Sequence, residues 1–316
     1  MRYLNKHITI ILINLSLFFG AKPHEILAQQ DTQYTQYMYS ANIINPAYAG
    51  SRGVTSITSQ YRAQWTGIEG APRAINFSSS GPLDYRYENM GLGATIIHET
   101  IGPSVETALA GDFSYQIYID RYTYLNFGIK AGLKLINIDY NKLDIYNATD
   151  PTFQFNVENR VSPIAGAGVY IYSDLWYAGI SVPDLLATRY FDNNSVSTAK
   201  ERANFYAMGG YVFQLNPNLK FKPTALVKYV SGAPLGVDFS ANFLINETFT
   251  LGASYRFTNA FSAITGFQIN NKLFIGYSYD IDTTAIRQYN SGSHGVFLRL
   301  DIGTNRDLRF LTPRFF

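Results

Sequence analysis

The chain has 316 residues, of which 15% are charged, 16% are aromatic and none is cysteine. The lack of cysteine excludes a disulfide scaffold, a thiolate metal site and a lipid anchor on an N-terminal cysteine. Few charges and many aromatic side chains argue against a disordered chain and favour a β-rich protein, since aromatic side chains fit a pleated surface.

Residues 1–28 are predicted to be an export signal. Arg2 and Lys6 give a basic start, and residues 8–20 form an apolar core that is too short to span a bilayer as a helix. Ala28 is the predicted last residue of the signal, and a buried core helix is the alternative.

The signal contains three basic residues and one acidic residue, so its removal from 25 basic and 23 acidic residues leaves 22 of each. A neutral chain has no electrostatic footprint for nucleic acid.

Residues 29–53 lack the alternation that marks the rest of the chain. Asn45-Pro46 is a turn signal, and Tyr37 and Met38 are large side chains that need an environment in which to pack. We therefore predict a segment that docks against, or plugs, the structure built by the later residues. The alternative is an ordinary N-terminal loop.

Beyond this segment, apolar and polar residues alternate with a period of two, which is typical of β-strands. In residues 248–257, the odd-numbered positions are apolar or aromatic and the even-numbered positions are polar or glycine. Several of these segments are about ten residues long, the length of a tilted transmembrane strand. The pattern predicts about fourteen strands, at residues 54–65, 73–82, 91–98, 104–118, 122–136, 162–173, 175–182, 203–214, 218–230, 235–246, 248–257, 260–269, 271–280 and 294–303.

The connections between the predicted strands alternate in length. Most connections at one end are tight turns, such as Asp120-Arg121 and Asn246-Glu247, whereas those at the other end include residues 137–161, 183–202 and 281–293. This asymmetry is typical of outer-membrane barrels, and an even number of strands places both chain ends on the periplasmic side.

The predicted fold is all-β: a single transmembrane antiparallel barrel of about 14 strands at residues 54–316. Residues 29–53 are expected as a non-strand segment at or in its periplasmic mouth. A soluble barrel or sandwich would show the same alternation with the apolar face inside. The export signal, a strand number too large for a filled soluble barrel, and the terminal Phe316 favour the outer membrane of a Gram-negative bacterium.

Few side chains suit catalysis. The predicted mature chain keeps two histidines, His98 and His294, and Ser293 beside His294 would point to the opposite face of a strand. A barrel hydrolase is therefore the third interpretation of the chain. Asp280 and Asp282 offer too few oxygens for a calcium ion, which takes six or more. We predict no enzymatic activity, no cofactor and no bound metal.

Charged residues on the polar faces of the strands leave two interpretations of the lumen. They suit a water-filled pore, and they also suit a closed barrel filled by ion pairs and a plug. We favour the filled barrel, because the N-terminal segment needs a place to pack. These residues are Glu106, Asp112, Lys130, Lys134, Lys220, Lys222, Lys228, Asp238, Arg256, Lys272, Arg299 and Asp301.

Motifs spread along the predicted mature chain carry a family resemblance. Residues 31–38 read Asp-x-Gln-Tyr-x-Gln-Tyr-Met, and residues 45–50 read Asn-Pro-Ala-x-Ala-Gly. In order and spacing, these and later motifs resemble the PorP/SprF family of type IX secretion system membrane proteins. The family usually has glutamate where this chain has Gly295. The matching positions that we single out are Gln36, Tyr37, Met38, Asn45, Pro46, Ala49, Gly50, Arg62, Trp65, Asp280, His294 and Phe316.

The resemblance implies an outer-membrane protein of the Bacteroidota with a role in gliding motility and protein secretion. Its expected partner is a secreted surface protein or adhesin that carries a C-terminal sorting domain, in addition to outer-membrane lipid. Some family members work with periplasmic peptidoglycan-binding lipoproteins, and the sequence leaves the choice between the two roles open. The alternative function is an outer-membrane channel or transporter for small or hydrophobic solutes.

Large apolar residues in the long loops predict the surface that binds this partner. Aromatic anchors surrounded by polar residues are typical of protein-binding surfaces, whereas loops that only surround a pore have little use for them. The alternative is that these residues fold back over the barrel mouth. The predicted partner-binding residues are Leu185, Leu186, Tyr190, Phe191 and Tyr289.

Overall fold

The computed structural model describes residues 35–83, 89–143, 156–186, 203–257 and 259–303. Four parts of the sequence-based prediction lie wholly or partly outside the described residues: the export signal, the first residues of the N-terminal segment, the predicted long loops 137–161 and 183–202, and three of the predicted site residues. Those site residues are Tyr190, Phe191 and Phe316.

Antiparallel strands form one sheet that closes into a barrel. Strands adjacent in sequence pair with each other, except that β8 and β9 both pair with β10. The first strand also pairs with the last, and the pairing of β10 with β11 completes the ring. The strands are β1 (Thr55–Ala63), β2 (Arg73–Pro82), β3 (Met90–Ile101), β4 (Ser104–Tyr118), β5 (Tyr124–Ile138), β6 (Val157–Tyr172), β7 (Trp176–Val182), β8 (Asn204–Tyr211), β9 (Phe213–Asn216), β10 (Leu219–Val230), β11 (Gly236–Ile245), β12 (Phe249–Arg256), β13 (Ala260–Gln268), β14 (Leu273–Asp282) and β15 (Ser293–Ile302).

The prediction of a barrel of about 14 strands is confirmed, with one strand broken in two. The eighth predicted strand is divided at Val212 into β8 and β9, and both halves pair with β10. The break lies beside Pro223 of β10, between the pairing of Thr224 with β8 and that of Phe221 with β9. Proline has no amide hydrogen to donate, so the ladder is interrupted there. The amide of Val212 instead donates to the carbonyl of Leu175 at 2.7 Å.

The strands carry apolar side chains outside and polar side chains inside. Ile129 is 62% exposed and the next residue, Lys130, is 6% exposed; Phe239 is 55% exposed and Ser240 is 5% exposed. A soluble barrel would bury the apolar face instead. The arrangement is that of a barrel whose outer surface meets lipid.

The two ends of the barrel differ. At the short-turn end, the connections include residues 173–175, 217–218 and 246–248; at the long-loop end, they include residues 64–72 and 283–292. Two 3₁₀ helices, Tyr140–Lys142 and Ala285–Tyr289, also lie at the long-loop end, as does a tight turn between β3 and β4. Within the described part of the chain, no helix is long and apolar enough to cross a bilayer, and this finding does not bear on crossing by strands.

The lumen holds residues 35–51, which we call the plug. The plug contains a single helical turn, α1 (Ala41–Ile44), and a 3₁₀ turn, Pro46–Tyr48. Its large side chains pack with residues from strands on several sides of the barrel, so the hydrophobic core lies inside the barrel and around the plug. Buried residues of the plug include Gln36, Tyr37, Met38, Tyr39, Ile44, Asn45, Ala47, Tyr48 and Ala49.

Candidate functional site

The plug crosses the lumen from one end to the other. At the short-turn end, the guanidinium of Arg52, which directly follows the plug, lies 3.0 Å from the carboxylate of Asp301. Toward the long-loop end, the hydroxyl of Thr35 donates to the carboxylate of Asp280 at 2.7 Å, two residues before the end of β14. The segment expected at or in the periplasmic mouth therefore extends through the lumen toward the opposite end.

The close approach of the plug to the barrel wall depends on glycine. A Cβ atom at Gly128 would overlap the backbone of Ala47, and a Cβ atom at Gly91 would overlap the carbonyl of Ala49. Gly50 has a φ of +73° and also lies directly against Gly91. Any larger residue at position 91 or 128 would push the plug away from the wall.

Asn45 is the polar centre of this contact and is fully buried. Its side-chain amide donates to the carbonyl of Val169 at 3.0 Å, and its side-chain oxygen accepts from the backbone amide two residues later. Gly168 and Gly179 face it, and a Cβ atom at either position would collide with the Asn45 side chain. The same side chain caps the 3₁₀ turn Pro46–Tyr48. The first residue of this turn is proline, which has no amide hydrogen and therefore needs no acceptor there.

Barrel side chains donate hydrogen bonds to backbone carbonyls of the plug. A helical turn as short as α1 leaves most of its carbonyls without intrahelical donors, and burying them unpaired would cost free energy. The position of the plug is thus specified by polar contacts as well as by packing. The donor–acceptor pairs are Lys130 to Ile43 (3.4 Å), Ser181 to Ile44 (2.9 Å), Asn126 to Ala47 (3.1 Å) and Ser114 to Ala49 (2.6 Å).

The aromatic side chains of the plug lie in the short-turn and central parts of the lumen. Tyr39 packs against Phe297 and Phe274, with ring centroids 4.9 and 5.1 Å apart. The hydroxyl of Tyr37 is hydrogen-bonded to that of Thr224 at 2.7 Å. Burial raises the pKa of Tyr37 to about 12, so this phenol stays neutral.

Two residues of the predicted barrel motif meet in a buried ion pair. The guanidinium of Arg62 lies 2.6 Å from the carboxylate of Asp280, and both side chains are at most 3% exposed. Thr35 of the plug contacts both partners. Asp282 accepts a hydrogen bond from the indole of Trp65 at 3.4 Å. The two carboxylates considered for calcium therefore face donors from the protein itself.

His294 lies on the outer face of the barrel. Its ring nitrogen is hydrogen-bonded to the hydroxyl of Tyr277 at 2.6 Å, and its ring packs beside Tyr279. Ser293 faces the lumen, where its hydroxyl accepts from the backbone amide of Trp65 at 3.1 Å. Ser293 and His294 thus point to opposite faces and form no dyad. Among the described residues, no group of three or more His, Asp or Glu side chains is arranged to hold a metal ion.

Between the plug and the long-loop end, the lumen contains a cavity of about 210 Å³. We call it the vestibule. Its floor includes Ile43 and Ile44 of the plug, and much of its wall is apolar, with charged residues from strands and loop above. Sequence patterns did not predict it, because its lining comes from segments far apart in the chain. Lining residues include Ile97, Ala108, Ile164 and Leu226 among the apolar ones and Glu99, Glu106, Lys134, Asp184 and Lys228 among the charged ones.

The predicted partner-binding residues that the structure describes lie exposed at the long-loop end. Tyr289 is 74% exposed at the end of the 3₁₀ helix Ala285–Tyr289, and Leu185 and Leu186 are 49% and 40% exposed. Pro183 and Asp184, which immediately precede these leucines, line the vestibule. The vestibule is therefore continuous with the exposed Leu185 and Leu186.

Comparisons with known proteins agree with this architecture. Residues 26–300 match the family model described as type IX secretion system membrane protein PorP/SprF. The chain is similar to the Ralstonia pickettii toluene transporter TbuX, with 11% identity, a TM-score of 0.52, and coverage of 83% of this chain and 94% of that chain. It is also similar to the Acinetobacter baumannii outer membrane protein Omp33, with 7% identity, a TM-score of 0.45, and coverage of 80% and 100%. At such low identity, the likeness to TbuX shows the barrel fold alone. No curated protein matches the chain significantly.

Proposed function

Because the chain belongs to the PorP/SprF family of type IX secretion system membrane proteins, we propose that it binds a secreted surface protein through the C-terminal sorting domain of that protein. It is a barrel protein of the outer membrane. In this proposal, the barrel is a non-enzymatic receptor that helps to secrete its partner or anchors it at the cell surface. The long-loop end then faces the outside of the cell.

The observation that carries the proposal is the plug. A channel for solutes needs a continuous passage, whereas this lumen is occupied by a segment that hydrogen-bonds to several strands along its length. Ionic contacts at Arg52 and beside Thr35 hold both ends of the plug. Such a barrel is suited to present a surface rather than to conduct.

The charges inside the barrel also support a filled lumen. A pore would present them to water and to the passing solute, but several form close, largely buried ion pairs with each other. Among the described residues, these pairs include Arg62 with Asp280 (2.6 Å), Lys130 with Asp112 (3.3 Å), Arg256 with Asp238 (2.8 Å) and Arg299 with Asp301 (3.3 Å).

The exposed residues at the long-loop end suit a protein-binding surface. Tyr289, Leu185 and Leu186 combine large apolar area with polar neighbours, and aromatic anchors of this kind carry much of the affinity in protein interfaces. Large apolar side chains gain no free energy from exposure to water, so their exposure at this end favours a role in binding.

Co-purification tests the proposal. An affinity-tagged protein, extracted from outer membranes in detergent, should recover a secreted protein that carries a C-terminal sorting domain. Tyr289→Ser should reduce the recovery. The matched control is Tyr122→Ser, because Tyr122 is 59% exposed in a turn at the short-turn end.

Reconstitution in liposomes distinguishes a receptor from a channel. The purified barrel should give little flux of small or hydrophobic solutes. High flux together with no recovered partner would overturn the proposal in favour of a channel.

A further inference from the structure

We propose that the outer face of the barrel binds a phosphate group of an outer-leaflet lipid at the long-loop end, between Arg73 of β2 and His294 of β15. The acyl chains of the same lipid lie on the apolar strand surface below. This inference takes the orientation of the barrel from the proposed function, but it does not depend on the protein partner.

Arg73 differs from the other basic residues of the described strands in the direction of its side chain. Strand alternation turns the others toward the lumen, as it does Arg62 and Lys130, which are 2% and 6% exposed. Arg73 instead shares the outward face of β2 with Ile75 and Phe77, which are 51% and 46% exposed. A cation on the lipid-facing surface is tolerated near the interface, where it reaches the lipid headgroups. Arg73 occupies such a position, because it is the first residue of its strand.

The strand register places two histidines around Arg73. Arg73 is paired with Ala63 of β1, and Ala63 is paired with His294. Two strand spacings, about 10 Å, therefore separate Arg73 from His294, and the side chain between them on β1 is a single methyl group. On its other side, Arg73 has His98 of β3 as a diagonal neighbour. The result is a shallow gap over Ala63 with hydrogen-bond donors at its sides.

The groups around the gap are suited to an anion. The hydroxyl of Tyr277 is bonded to Nδ1 of His294 at 2.6 Å. A phenol that donates to Nδ1 fixes the neutral tautomer with its hydrogen on Nε2, which is then a donor. Among the described residues, Arg73 forms no salt bridge, and Glu69 in the preceding loop is not paired with it. The planar guanidinium of arginine matches the geometry of a phosphate.

The surface below the gap is suited to acyl chains. Tyr61 and Ile75 point outward from the next row of paired residues, and Ile96 and Leu298 beyond them are 44% and 41% exposed. Successive outward residues of a strand are about 7 Å apart, so the apolar surface begins directly below Arg73. A lipid joins a phosphate to acyl chains and contacts both parts at once. A free anion would contact the gap alone.

The opposite side of the barrel does not share this polar character. At the long-loop end of β8, β11 and β13, the outward side chains include Phe205, Phe239 and Phe261, which are 47%, 55% and 57% exposed. Aromatic residues of this kind are typical of the girdle that surrounds any outer-membrane barrel. The cluster of arginine, histidine and tyrosine is confined to the strands next to the seam, so the general girdle does not account for it.

Removal of the charge is the first test. The probe is diphosphoryl lipid A, a phosphorylated glycolipid, added to the detergent-solubilised full chain, and bound lipid is counted by native mass spectrometry. Arg73→Gln should weaken binding about tenfold. The matched control is Arg287→Gln, an exposed arginine in the 3₁₀ helix at the same end, which should stay within about twofold. Lipid A without its phosphates should bind the wild type about as weakly as lipid A binds Arg73→Gln.

Closing the gap without a change of charge covers the case in which Arg73→Gln fails to fold. Ala63→Phe places a ring between Arg73 and His294 and should weaken lipid A binding about tenfold. The matched control is Ala263→Phe. Ala263 lies in the same row of the outer face, because it pairs with Tyr279 and Tyr279 pairs with His294. This control should bind as the wild type does, and gel mobility with and without heating confirms that each variant is folded.

The outcomes separate a lipid from other occupants. Equal binding of lipid A by the wild type and by folded Arg73→Gln and Ala63→Phe would overturn the assignment, and so would equal binding of the lipid without phosphates. Displacement of lipid A by inorganic phosphate at the same concentration would indicate a site for free anions instead. Unchanged lipid binding together with loss of a protein partner in Arg73→Gln would make this surface a protein interface. Since the probe is a lipid, failure to recover a sorting domain would overturn the proposed function without affecting this result.

Discussion

The two halves of the lumen are built from the same strands and the same plug, yet they differ in packing. In the short-turn half, Tyr39, Phe274 and Phe297 are at most 5% exposed and fill the space between plug and wall. In the long-loop half, Ile43 of the plug borders a cavity of about 210 Å³. The difference teaches that tight packing and open volume are separated along the barrel axis. The packed half holds the plug, and the plug supplies the floor of the other half.

Deletion of residues 30–50 should change stability and partner binding more than any of the substitutions below. It removes the segment around which the core is built, together with the floor of the vestibule. We expect a barrel that still inserts, because the strand pairing does not involve the plug, but that unfolds at a lower urea concentration and loses the partner. Urea midpoints in lipid vesicles and gel mobility with and without heating measure the change. Unchanged heat resistance with full partner recovery would show that the plug is dispensable.

Asp280→Leu tests the ion pair beside the end of the plug. The substitution leaves Arg62 buried without its carboxylate and removes the acceptor of Thr35. Breaking a buried pair in this way costs about 3–5 kcal/mol of unfolding free energy. The control combines Asp280→Leu with Arg62→Met, and much of the loss should then be recovered, because no unpaired charge remains. A single variant as stable as the double variant would argue against a buried charge pair.

Gly128→Val tests the contact between plug and wall. The new side chain would occupy the space of Ala47, and overpacking of this kind costs about 1–3 kcal/mol. Gly111→Val is the matched control on the neighbouring strand, because a Cβ atom at Gly111 meets no atom closer than 3.9 Å. Equal urea midpoints for the two variants would mean that the plug does not rest on Gly128.

Substitutions in the vestibule should have the smallest effect on stability. Glu99→Gln with Glu106→Gln is expected to change the unfolding free energy by no more than about 1 kcal/mol, because both side chains are partly exposed and line a cavity rather than a packed core. The measurement is again the urea midpoint, compared with the affinity for the sorting domain. A large loss of stability would show that these two residues stabilise the fold, as the packed residues of the short-turn half do.

Local patterns predicted the barrel well because the sequence of each strand, taken alone, shows which of its two faces is apolar and which is polar. The alternation in residues 248–257 reappears in β12, where Leu251 is 50% exposed and Thr250 is fully buried. The break between β8 and β9 was not predicted. The proline interrupts the strand opposite it, and that neighbour is known only once the register is known.

The contact between the plug and the barrel wall was harder to predict, because it depends on residues that are far apart in the sequence. Asn45 meets Gly168, and Ala47 meets Gly128, far along the chain from the plug. A signal was present in the sequence, since Gly128 interrupts a strand face between Asn126 and Lys130. A strand alone does not reveal whether such a gap receives a plug, a ligand or water. The vestibule left no local signal.

Arg52 has a consequence for how the molecule is assembled. Its guanidinium reaches Asp301 of β15 and the hydroxyl of Ser56 in β1, so one side chain touches both edges of the seam at which the barrel closes. Those edges come from opposite ends of the chain and pair late, since distant contacts form slowly. The plug, by contrast, can already bind β4 and β5 while the sheet is open. We therefore expect closure to occur around a plug that is already captured, and refolding into vesicles should be slower for the chain that lacks residues 30–50.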